Sequence, residues 1–173
     1  MRLLLTIRLL FALLLLAPPA FADDAVPAPG LAGTWALDAE ASGSVDPLLA
    51  ALGRSKMERT MAKRIKGVTH TIALHDGWVE VTNANAFRTQ TSRIELGKTN
   101  AIDIMGQAME VTAEAKNGRV VTSGALTLDS GPATMKTTRG LADKTTMELV
   151  ITLTPDDGEP IVVRRVFRKQ PGS

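Results

Sequence analysis

His70 and His75 are the only histidines in a chain of 173 residues that contains no cysteine. They stand in "THTIALHDG", an alternating phrase of the kind that forms a strand. Five residues apart on a strand, they point to opposite faces, so a single metal ion cannot use both. Either one alone has the chemistry of a haem ligand or of an ordinary polar side chain. The lack of cysteine excludes thiol catalysis and cysteine-ligated zinc. No paired carboxylates, no serine with a neighbouring histidine and acid, and no phosphate-cradling glycine loop stands at a diagnostic spacing. The chain therefore reads as non-enzymatic, and recognition by charge and shape remains. In "PIVVRRVFRK", strand alternation places Val163, Arg165 and Phe167 on one face and Arg164, Val166 and Arg168 on the other. An arginine on an inner face is suited to a carboxylate, which its planar fork grips bidentately.

What positions these residues is read from the rest of the chain. Arg2 and Arg8 flank an apolar run that ends in "APPAFA". Residues 1–22 are therefore expected to be a secretory signal peptide, too short in apolar length to span a bilayer. They hold two of the 20 basic residues and none of the 18 acidic ones, so the remainder is neutral. Nucleic acid is not an expected partner, because phosphate binding needs a basic surface. Export without disulfides suits a bacterial periplasm or the extracellular space. Residues 23–32, "DDAVPAPGLA", read as a flexible leader, and residues 33–170 as one domain with one core.

That domain opens with a strand, "TWALD", and then a short helix, "DPLLAALG", with Asp46 as its expected cap, Pro47 in the first turn and Gly53 as the stop. Ser55 and Glu58 form a capping box for a second helix. On it Met57, Met61 and Ile65 share one face, while Lys56, Arg59, Lys63 and Arg64 make the rest basic. From Val68 onward the period is that of strands, separated by turns such as "HDG", "NG", "DSG" and "PDDG". About ten strands at even spacing predict an all-β, antiparallel up-and-down barrel, whose closure removes exposed edges. A barrel of that width encloses a cavity that side chains alone cannot fill.

This order of elements resembles the fatty-acid-binding proteins of the calycin (lipocalin/fatty-acid-binding protein) superfamily. The resemblance rests on "GTWALD" followed by "DPLLAALG" and "KMERTMAKRI", and on "RRVFRK" at the end, and it spans about Gly33 to Lys169. It implies a ten-stranded barrel with the helix pair as lid, holding an acyl chain or a similar apolar ligand. In the family an arginine and, two residues later, a tyrosine of the last strand bind the ligand carboxylate, often with a second arginine. The matching positions are Arg165 and Phe167, where phenylalanine lacks the phenol and can only pack. For the second cation "ATMKTTRG" offers Lys136 or Arg139. Gly33 and Trp35 match the superfamily's opening signature, in which the ring plugs a barrel end against a cation of the last strands, here Arg165 or Arg164. Arg165 thus stands either as a head-group ligand or as a structural partner of Trp35.

The expected function is non-catalytic binding of a fatty acid or other small hydrophobic ligand by a monomer with no cofactor, for lipid transport or buffering in a bacterial envelope. The resemblance also implies that the lid helix, through Lys56, Met57, Arg59, Met61, Lys63 and Arg64, touches anionic membrane surfaces; a solvated lid face is the alternative. Two other functions remain open: a filled barrel that binds another protein, and haem binding through His70 or His75.

Overall fold

The computed structural model describes residues 26–172; the expected signal peptide lies outside the described residues. Ten antiparallel strands form one sheet: β1 (Gly33–Asp38), β2 (Thr69–His75), β3 (Trp78–Ala84), β4 (Thr89–Glu95), β5 (Thr99–Ile104), β6 (Gln107–Lys116), β7 (Arg119–Leu128), β8 (Gly131–Asp143), β9 (Thr146–Pro155) and β10 (Ile161–Lys169). Two helices, α1 (Asp46–Ala51) and α2 (Lys56–Arg64), follow β1. Each strand pairs with its sequence neighbour except β4 with β5. β1 lies between β2 and β10, which wraps the sheet round on itself. β4 and β5 are the two ends of the hydrogen-bonded order, so the wall has a seam there. The expected all-β barrel with a helix pair after its first strand is the observed architecture.

Alternation explains the wall. In β6, Met109, Val111 and Ala113 are buried while their neighbours Glu110, Thr112 and Glu114 are exposed, the period-two pattern of a sheet with one apolar face. The two-residue turns after β5 and β6 put Met105 and Asn117 at positive φ, each followed by a positive-φ glycine, Gly106 and Gly118. That pair of left-handed residues matches the twist of the hairpin strands.

The two ends differ. At the floor Trp35 is fully buried, its indole N–H donates to the Leu31 carbonyl oxygen at 2.9 Å, and Lys169 lies over the ring at 5.3 Å. The cation that meets Trp35 is therefore Lys169, its register partner on β10, and not Arg164 or Arg165. Residues expected as a flexible leader share in this plug: a 3-10 turn at Pro29–Leu31 carries the fully buried Leu31, and the Ala28 N–H donates to the Gly118 carbonyl.

The mouth is covered by the helices. Leu48 and Leu49 anchor α1, whereas α2 buries none of its residues. The capping box of Ser55 and Glu58 is formed as expected. Asp46 is not the cap of α1 but its first residue; Val45 precedes it, and the Asp46 carboxylate instead takes Arg59 at 3.4 Å and Lys63 at 3.2 Å, tying the helices together.

Candidate functional site

Inside the wall is a cavity of about 550 Å³. Its lining changes character from mouth to floor. At the mouth stand Leu49 of α1, Arg54 between the helices, Ala62 of α2 and Ile65 just after it, and Arg88 and Asp103 at the rim. Arg54 donates to the Met105 carbonyl at 3.4 Å, and Arg88 pairs with Asp103 at 3.9 Å across the β4–β5 seam. Deeper, Val81, Ile94, Leu149 and Ile151 supply apolar wall.

Two further arginines line the cavity, apart from the Arg88–Asp103 pair. Arg139 on β8 and Arg165 on β10 both partner Leu149, from opposite sides of β9. The two guanidinium groups therefore start from one row of the sheet, two strands or roughly 10 Å apart, and both line the cavity. Arg139 is buried, its Nε has no hydrogen-bond partner, and burial pushes its guanidinium down to about 10, still protonated at neutral pH. Arg165 is half-buried and reaches the Gly43 carbonyl at 3.4 Å; burial lowers its pKa as well. Neither arginine has an acidic partner among the described residues. Arg164, its neighbour, faces outward and pairs with Glu148.

His70 faces the same space from β2, with its ring centroid 4.3 Å from that of Phe167. Phe167 is buried and packs, as its lack of a phenol requires. Opposite His70 in register is Asn83 of β3; the Nδ1 of the one and the Oδ1 of the other are buried without partners. Burial, then the charges of Arg139 and Arg165, lower the His70 pKa to about 3. An unfolded chain protonates this imidazole below about 6.5, while the folded chain leaves it neutral until about 3. The stability it contributes is complete above pH 6.5 and is lost as pH falls through that window, at about 1.4 kcal/mol per pH unit. Asp38, Glu58, Glu95, Asp143 and Glu148, all held below their usual values by hydrogen bonds, lose their contributions only at lower pH. In urea unfolding at pH 7.0 and 5.5, wild type is expected to lose about 1 kcal/mol more than His70→Gln. Equal losses would show that His70 titrates freely in the folded protein.

Other expected site residues lie elsewhere. Lys136 is exposed on the outer face of β8; Met135, Thr137 and Arg139 are the inward set, and Lys136 has the other parity. His75 is also outside, stacked on Trp78 at 3.7 Å, with Arg93 over the same indole at 4.4 Å. On α2 the stripe is turned round: Met57 and Met61 are 71% and 60% exposed, and the cavity side is Glu58 and Ala62, continued by Ile65. The helix ties to α1 through Arg59 and Lys63, which rotates its methionines to solvent and leaves the small Ala62 against the opening. Lys56 and Arg64 are exposed with them.

Sequence reasoning missed His70 and Asn83 as residues that line the cavity with Arg139 and Arg165. A signal existed for both: His70 shares its face with Ile72, and Asn83 with Val79 and Val81, all of them buried.

No protein-family model matches the chain, and no curated protein matches it in sequence. Solved structures do match in fold. The REP1-NXSQ fatty acid transporter superposes with a TM-score of 0.66 at 17% identity, covering 83% of this chain and 98% of that chain. Apo lipid binding protein 8 of Caenorhabditis elegans superposes at 0.69 with 15% identity, over 84% of this chain and 99% of that one. A Schistosoma mansoni fatty acid binding protein in complex with arachidonic acid gives 0.68 at 16% identity, over 82% and 97%. The likeness at these identities is one of fold, and the chain has the nearly closed ten-stranded barrel of the fatty-acid-binding proteins.

Proposed function

We propose that this protein binds a small hydrophobic anion, a fatty acid or related acyl lipid, inside the barrel, without covalent chemistry. The observation that carries this reading is the cavity of about 550 Å³ with an apolar wall and two inward arginines that lack acidic partners. The volume lies within the range of small-molecule sites, roughly 300–1,000 Å³. Burial of the apolar tail supplies affinity, and the arginines orient the head group where low dielectric strengthens the contact. A barrel that served only as a protein-binding scaffold has no need of this space.

Delipidated protein is expected to take up a fluorescent fatty acid. Arg165→Ala is expected to weaken dodecanoate at least tenfold more than dodecanol, since a charge-assisted hydrogen bond contributes about 1.5–3 kcal/mol. Equal losses for acid and alcohol would remove Arg165 from the head-group role.

The setting proposed is a bacterial envelope, in which the protein moves or buffers lipid; the signal-peptide pattern of residues 1–22 supports it. Contact of α2 with anionic membranes is part of the same proposal. It is supported by exposed Met57 and Met61 beside Lys56 and Arg64, and by Phe87, 82% exposed in the β3–β4 turn at the mouth. Cosedimentation with vesicles rich in phosphatidylglycerol is expected, weakening as salt is raised and lost in a Met57→Ser, Met61→Ser, Phe87→Ser variant. Binding unchanged in that variant would place the membrane contact elsewhere.

A further inference from the structure

We infer that the head group this cavity selects carries two negative charges, as in a phosphate monoester, rather than the single charge of a carboxylate. The inference rests on the lipid-binding reading above and concerns the chemistry of the head group.

The grounds are a count of charge and donors along the cavity. At the mouth, acid and base balance: Glu58 and Asp103 stand with Arg54 and Arg88, and Arg88 and Asp103 are within 3.9 Å of each other. The row through Leu149 has no such balance. Arg139 and Arg165 flank Leu149 in one row, and neither of the carboxylates among the described residues that line the cavity, Glu58 and Asp103, pairs with them. The other groups facing that space are uncharged: His70 from β2, Asn83 from β3, and Thr122 and Thr137, whose hydroxyls bond each other at 2.7 Å. His70 is neutral at physiological pH, so it adds no third charge.

One buried and one half-buried cation in a single cavity are unfavourable until an anion joins them, because burial penalises each charge to its own degree and their mutual repulsion adds to it. One negative charge neutralises half of the excess. A dianion neutralises all of it, and the three free oxygens of a phosphate monoester give each arginine its own acceptor with one left for a neutral donor. Near pH 7.5 such a head group is mostly dianionic, its second ionisation lying near 6.

The test is calorimetric titration of delipidated full-length protein at pH 7.5 with three probes of one chain length, all below their micelle concentrations. These are dodecyl phosphate, its monomethyl ester, which keeps the phosphorus but carries one charge, and dodecanoate. Dodecyl phosphate is expected to bind at least tenfold more tightly than either of the others, and Arg165→Gln is expected to reduce that preference to less than threefold. Methyl ester and dodecanoate binding as tightly as dodecyl phosphate would overturn the inference and leave lipid binding intact. Phosphate preference that persists unchanged in folded Arg165→Gln, checked by circular dichroism, would also overturn it, since the second charge would then be met elsewhere. Failure of all three probes and of dodecanol to bind would overturn the lipid reading itself, and this inference with it.

Discussion

Replacing Arg139 by methionine is expected to stabilise the empty protein and to disable it as a binder of anions. The guanidinium is buried on β8, its Nε is unpartnered, and no acidic group among the described residues meets it. A charge in that position costs the folded state, and an apolar side chain of similar length removes the cost; exchanges of buried ionic groups for packed apolar ones gain on the order of 1–4 kcal/mol. For a chain of this size that corresponds to a melting temperature higher by roughly 5 °C, taking about 2–4 °C per kcal/mol. Binding moves the other way. Affinity for dodecanoate or dodecyl phosphate is expected to fall at least tenfold, with dodecanol little changed. The opposed signs make the experiment decisive, because a purely structural arginine would lower stability when removed. Calorimetric melting of delipidated wild type and variant checks the first half, and titration checks the second. A lower melting temperature in the empty variant would mean that contacts within the barrel satisfy the guanidinium, and Arg139 would cease to be a ligand-seeking group.

Trp35→Ala is expected to have the largest effect on stability of any single change at the floor. The ring is fully buried, as is Leu31 beside it. Truncating a buried tryptophan to alanine costs about 3–5 kcal/mol through lost burial and the cavity left behind. The Leu31 carbonyl loses its indole donor in the same step, and that change alone is worth on the order of 1 kcal/mol. Trp35→Phe separates the two contributions, since it keeps most of the packing and removes only the donor. Urea unfolding of both variants is the measurement. A loss below about 1 kcal/mol for Trp35→Ala would mean that the 3-10 turn and Lys169 close the floor without the ring.

The parts of the fold legible in the sequence are those with local punctuation. The capping box at Ser55 and Glu58 fixes where α2 begins, and "NG" after β6 supplies the two left-handed residues of its turn, Asn117 and Gly118. Which of Arg164 and Arg165 faces inward was not readable, because apolar and basic residues run in pairs through "VVRRVFRK" and suit either face; in the structure Arg165 lines the cavity beside buried Val163 and Phe167. Arg139 and Lys136 were not separated, because two threonines between them blur the contrast. Met135, fully buried on the same strand, had already fixed the parity in favour of Arg139.

The lid misled for a different reason. Apolar residues at fourfold spacing mark a buried face only when something packs against that face. Over an open cavity nothing does, so α2 takes its orientation from Arg59 and Lys63 reaching Asp46. The Trp35 partner was misplaced by the register of β1 on β10, a pairing across more than a hundred residues that no local pattern encodes. That register matches Trp35 with Lys169, four residues beyond Arg165.

The same pairing sets the order of events in time. Trp35 lies near the start of the domain, and its strand partner Lys169 near the end, with Gln170 donating to the Thr34 carbonyl at 2.8 Å. Hairpins from β2 to β9 can form as neighbours meet, yet the circle cannot shut until the last strand is available to the first. Closing so long a loop places the domain among slow folders, those with half-times of milliseconds to seconds. Until then β1 and β10 each wait with an edge exposed, and a chain cut before Val166, without the residues that pair with β1, would keep its hairpins and never become a vessel.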